Sequence, residues 1–170
     1  MKNSDHRKGL AVSGLLALTA LSMLFGFSLL AWMVAYSFKK QFSPRIVAGT
    51  KIGTIRAHRK RHAREGEALQ LYQGMRTKHC AKIIPDPVCI CIVNVGIMVG
   101  RDCITNILIG DGLDFAVDPG HHDYFARLDG FDNASDMSTF WRQEHSVGTF
   151  EGVWVRWAEI PVPLLVRALT

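Results

Sequence analysis

One basic, glycine-punctuated stretch, FSPRIVAGTKIGTIRAHRKRHAREGEALQLYQGMRTKHC (Phe42–Cys80), constrains the fold of this chain more than any other feature. Ser43 stands where an N-cap belongs, Pro44 at the first helical position and Gly49 just past the end, so the stretch opens with a short helix. Thr50 and Lys51 then lead into a strand over Gly53–Ala57. His58–Arg64 is a loop too densely charged to bury. Glu65-Gly66-Glu67 turns the chain into a strand over Ala68–Tyr72, which Gly74 ends. Short strands separated by turns and one small helix are the pattern of an α+β domain.

The flanking sequence continues that pattern. Val34–Phe38 alternates as a strand, and Val88–Val95 and Ile104–Ile109 are β-branched apolar runs suited to buried strands. Asp111-Gly112 marks a turn before Leu113–Val117. Asp118-Pro119 starts a helix that ends before Gly130, with His121-His122 read as exposed polar residues at its start. Asn133 with Asp136 opens a second helix, on which Met137, Phe140 and Trp141 recur along one face. Phe150–Trp157 alternates as a last strand, and Trp141, Trp154 and Trp157 read as core. The predicted architecture is α+β: a small, partly closed β-barrel with inserted short helices over residues 33–160, followed by a tail at 161–170. At 170 residues and 48% hydrophobic composition the chain can bury one such core.

Residues 1–32 belong to a different physical class. Leu10–Trp32 is a 23-residue run without charge. At ~1.5 Å per residue a helix of that length spans the ~30 Å hydrocarbon core of a bilayer. Lys39, Lys40, Arg45 and Lys51 behind it outnumber Lys2, Arg7 and Lys8 ahead of it, which favours a cytoplasmic C-terminal domain in a single-pass arrangement. Met33 offers a second reading. It immediately precedes a core strand with no polar spacer, so 1–32 also reads as an upstream mis-start before a cytoplasmic domain.

Charge is distributed unevenly along the chain. Residues 33–82 carry twelve Lys/Arg against Glu65 and Glu67, net +10, whereas residues 83–170 carry five Arg against twelve acids, net −7. The basic half is the expected anion-binding face. Cys80, Cys89, Cys91 and Cys103 lack paired CxxC spacing, so neither a zinc site nor a cofactor is expected, and reduced thiols suit a cytoplasmic domain.

Several segments together resemble the ASCH-domain family: YSFKKQFSPRIVAGTKIGTIRA, the Gly66-Glu67 turn into LQLY, GMRTKHC, then LDGF, FWRQEH and FEGVWVRW. The likeness runs over about Val34–Trp157 and is most specific in AGTK…TIR. It implies a fold similar to the RNA-binding PUA barrel. Many members are regarded as RNA-binding modules, and one bacterial group removes the acetyl group of N4-acetylcytidine with a Lys, a Thr three residues later and a distant Glu. By that resemblance the Lys and Thr fall on Lys51 and Thr54. The Glu position falls on Asp129, where this chain departs with a shorter carboxylate.

The residues themselves allow that chemistry and also plainer roles. Amide hydrolysis needs a nucleophile, a base to take its proton and a group to stabilise the oxyanion. A Thr hydroxyl attacks only if something such as an amine accepts its proton, and burial or a neighbouring cation such as Arg56 lowers a Lys toward that role. In a strand over Gly53–Ala57, Thr54 and Arg56 share a face, with Lys51 in the loop just before. Lys51 also suits simple phosphate binding, Thr54 a turn hydrogen bond, Arg56 an anion or a structural carboxylate, and Asp129 a solvated or structural acid. Arg59, Lys60, Arg61, Arg64 and Arg76 are candidate backbone contacts for RNA, and Tyr72 either stacks on a base or belongs to the core. Three functions follow: binding of RNA or a modified nucleoside through the basic face, deacylation of N4-acetylcytidine, or membrane-anchored interaction through residues 1–32.

Overall fold

The computed structural model describes residues 33–113 and 115–160. The apolar run with its two readings, and the tail at 161–170, lie outside the described residues. Among the described residues no helix is long and apolar enough to cross a membrane.

Among the described residues the architecture is mixed α+β, with two sheets and three short α-helices. The strands are β1 (Val34–Phe38), β2 (Gly53–Ala57), β3 (Leu69–Gln73), β4 (Ala81–Lys82), β5 (Cys91–Val99), β6 (Ile104–Ile109), β7 (Phe115–Ala116) and β8 (Gly148–Arg156). The helices are α1 (Ser43–Val47), α2 (His122–Leu128) and α3 (Ala134–His145). One sheet has the order β1-β3-β4, with β1 parallel to β3; the other has the order β2-β8-β5-β6-β7 and is antiparallel throughout. Strand parity explains the cores. Val34, Tyr36 and Phe38 of β1 point inward while Ala35 and Ser37 do not, and β8 buries Val153, Trp154 and Val155 between two partner strands.

No closed barrel forms among the described residues, which corrects that expectation. On one side the sheets are joined by residues 87–90. Leu69 N donates to Pro87 O, Cys89 N to Glu67 O and Ile90 N to Arg156 O, so this segment bonds to both sheets. It therefore does not extend β5, which starts at Cys91 rather than Val88. On the other side β1 and β2 make no ladder. The Arg56 side chain spans the gap instead, donating from Nη2 to Ser37 O at 2.7 Å.

Two helix starts also differ from expectation. A 3₁₀ turn over Lys40–Phe42 precedes α1, so Phe42 occupies the N-cap, and Ser43 donates to Gln73 Oε1 at 2.8 Å instead of capping. A second 3₁₀ turn over Pro119–His121 rotates His122 inward, where it is buried with Nε2 3.2 Å from Val117 O. Asn133 caps α3 as read, accepting from Asp136 N at 2.9 Å. That helix lays Met137 and Trp141 into the core, and its Ser138 hydroxyl accepts from Ile104 N at 2.8 Å.

Candidate functional site

Lys51 is turned inward by backbone geometry. After α1, Gly49 takes φ +72°, and the amides of Thr50 and Lys51 both donate to Arg45 O, at 3.0 and 3.1 Å. Ile52 N then bonds Leu128 O at 3.0 Å, which brings the start of β2 against the end of α2. At that end Asp129 is the C-cap and Gly130 follows at φ +89°. A Cβ on Gly130 would lie 2.7 Å from Lys51 Cδ, so glycine is needed both for the turn and for passage of the lysine stem.

The amine thereby reaches the C-terminus of α2, where backbone carbonyls lack helical partners. Lys51 Nζ donates to the Asp129 carbonyl oxygen and lies 2.7 Å from Asp129 Oδ1. It also sits 4.9 Å from the Phe42 ring centroid. Lys51 and Asp129 are 2% and 5% exposed, so this is a buried ion pair. Burial drives the Lys51 amine below its ordinary range; Asp129 opposes that, while Arg56 and Arg45 reinforce it. Burial lifts the Asp129 carboxyl above its ordinary range, against the pull of Lys51 and Arg56.

Lys51, Thr54, Arg56 and Asp129 line one cavity of ≈ 190 Å³. Thr54 is buried, and its hydroxyl makes no hydrogen bond to another described residue. Phe42, Phe131 and Phe140 form an aromatic wall, with ring centroids 5.2 to 5.6 Å apart. Two residues of the cavity wall, Arg56 and Trp141, carry N–H donors, Nε and Nε1, that are fully buried without a partner among the described residues. At the mouth, Lys39 meets Glu144 at 2.5 Å.

The remaining predicted residues do not line this cavity. Arg61 holds both carboxylate oxygens of buried Glu67, at 3.0 and 3.1 Å, which makes it the internal partner of that acid. Arg59 lies over the Tyr36 ring at 4.5 Å, and the Tyr36 hydroxyl accepts from Ala63 N at 3.2 Å, so the basic loop is pinned to β1. Lys60, Arg64 and Arg76 are exposed, and Tyr72 is half-buried on β3.

Sequence reading missed Glu144 and treated Trp141 as core alone. Both belong to α3, which no local pattern ties to β2. The charge halves also interleave on folding. Lys39, Arg45 and Lys51 from the basic segment pair with Glu144, Asp132 and Asp129 from the acidic one, so the cationic face is narrower than the sequence suggested. No family model, curated protein or solved structure matches this chain.

Proposed function

We propose that the chain is an ASCH-like, PUA-like domain that hydrolyses a small acyl amide on a cytosine-type base, N4-acetylcytidine being the model substrate. The observation that carries this reading is the free Thr54 hydroxyl in the same small cavity as the buried Lys51–Asp129 pair. The small volume, open on one side, and the aromatic wall suit a flat heterocycle, with its sugar outside. The Arg56 side chain on the cavity wall suits an acceptor on that ring or on the acyl group.

In this mechanism Thr54 Oγ adds to the acyl carbonyl carbon and its proton passes to the neutral form of Lys51, with which the buried ion pair is in equilibrium. Asp129 holds the ammonium that results, and Arg56 faces the developing oxyanion. The C–N bond then breaks as Lys51 returns the proton to the departing exocyclic nitrogen. Water cleaves the Thr54 ester, releasing the carboxylic acid. The downward drive on Lys51 is what this cycle needs, because an ammonium cannot accept a proton. The experiment is release of cytidine from N4-acetylcytidine by the purified protein. Lys51→Met and Thr54→Val should each lower the rate by at least ~10²-fold, and a wild type inert toward every N4-acylcytidine would overturn the reading.

One observation favours a second reading, binding without turnover. Both oxygens that Lys51 touches belong to Asp129, an arrangement that also stabilises the ammonium form. That reading predicts cytidine binding with no product.

A further inference from the structure

A second, open cleft of ≈ 720 Å³ adjoins the inner cavity and shares Ser37, Phe38, Lys39 and Arg56 with it. Its other walls are Lys40, Gln73, Gly74 and His79. We propose that this cleft is an anion subsite that takes the phosphate of a nucleotide whose base occupies the inner cavity. The proposal rests on the inner cavity being a nucleobase site, but not on turnover there.

Charge is the first argument. The lining holds two lysines, an arginine and a histidine, and no carboxylate. Lys39 is already engaged by Glu144, so the available cations are Lys40 and Arg56. Among the described residues nothing accepts from the Lys40 ammonium or hydrogen-bonds the His79 ring. Such donors are satisfied by water in the free protein and by phosphate oxygens in a complex, where charge-assisted bonds are stronger.

Construction is the second argument, because the cleft is held in shape from both sides. Gly74 N donates to Phe38 O at 3.3 Å and Met75 N to Ser37 Oγ at 3.2 Å, fixing the loop after β3 to the end of β1. Thr77 Oγ1 donates to Gly74 O at 2.7 Å and accepts from His79 N at 3.2 Å, which orients the His79 segment. Arg56 is held by Ser37 O and by the Phe38 ring, 4.9 Å away, at the boundary between the two spaces. A ligand reaching across that guanidinium has its flat part among aromatics and its charged part among cations. A nucleoside monophosphate has that division of chemistry.

The test is calorimetric binding of cytidine, cytidine 5′-monophosphate and cytidine 3′-monophosphate to the full chain at low salt. At least one phosphorylated ligand should bind roughly tenfold more tightly than cytidine, and added salt should erode the preference. The ratio should fall toward one in Lys40→Ala/His79→Ala; both side chains are exposed, so the core is untouched. Equal affinity for all three ligands, no binding of any, or a preference that survives the double substitution overturns the subsite. A phosphate preference without turnover of N4-acetylcytidine removes the hydrolase and keeps the subsite. Turnover without a phosphate preference does the reverse.

Discussion

Lys51 and Asp129 meet at 2.7 Å with side chains 2% and 7% exposed, whereas Lys39 and Glu144, at the mouth of the same cavity, meet at 2.5 Å with side chains 52% and 37% exposed. Both pairs join the basic segment to the acidic one, and their geometry is nearly the same. Their energetics are not. The exposed pair gains little, because water screens it and two flexible side chains must be ordered; about 0–1 kcal/mol is the ordinary range. The buried pair has a strong mutual attraction, but a desolvation cost that offsets much of it. A well-packed apolar pair would hold the end of α2 against β2 at least as well. The placement of a charged pair there, beside an unbonded hydroxyl, therefore points to chemistry more than to stability.

Asymmetry on truncation separates the two pairs most sharply. Asp129→Ala leaves the Lys51 amine buried without its carboxylate and should cost about 3–5 kcal/mol, read as a shift in the urea midpoint at constant m-value. Lys51→Met/Asp129→Leu should recover most of that loss while abolishing turnover. If Asp129→Ala were as benign as a surface substitution, the pair would be solvated and the proposed site wrong.

Gly130→Ala disturbs the same pair through packing. The new methyl falls 2.7 Å from Lys51 Cδ at a φ of +89°, so the lysine stem must move and the turn is strained. About 1–3 kcal/mol of lost stability is expected. The loss of rate should be larger than that of Gly49→Ala, whose φ is also positive, at +72°, but whose Cβ would meet nothing within 4 Å. Equal kinetic effects would mean that the amine's position is unimportant.

What the sequence made legible, and what it hid, follows the same division between local and assembled features. The bounds of β1, β2 and β6, the Asn133 cap, and the shared orientation of Lys51, Thr54 and Arg56 depend on strand parity and capping chemistry within a few residues. The lost barrel closure depends on whether β1 finds β2, which no window of sequence encodes. His122 was misread because a 3₁₀ turn ahead of α2 shifts its phase, and i→i+3 turns leave only a weak compositional trace. Counting charges along the chain overstated the cationic face, since the fold brings Asp132 and Glu144 from far in sequence to Arg45 and Lys39.

pH probes the buried pair without a mutation in the active protein. Asp129, lifted above its ordinary 3.8, binds its proton more tightly folded than unfolded. The stability this contributes is complete below 3.8 and is lost as pH rises through the folded pKa. Lys51, lowered from its ordinary 10.5, gives up its proton more readily when folded. Its penalty is in full force below the folded pKa and is relieved as pH climbs from there toward 10.5. Relative to Lys51→Met/Asp129→Leu, the wild type should gain stability as pH rises from the lowered Lys51 pKa toward 10.5, with a slope of at most ~1.4 kcal/mol per unit. A flat difference over that window would give Lys51 an ordinary pKa and remove the base from the proposed mechanism.

The smallest expected effect lies at the mouth. Glu144→Ala should change stability by no more than ~1 kcal/mol, and less at high salt, because both side chains return to water. Its consequence is electrostatic, since it removes the carboxylate facing Lys39 on the wall common to the inner cavity and the outer cleft. The affinity for a phosphorylated ligand should therefore rise modestly while that for cytidine changes less, as one calorimetric series on the two ligands would read. Destabilisation approaching that of Asp129→Ala would show the mouth pair to be as structural as the floor pair, and the contrast between them would collapse.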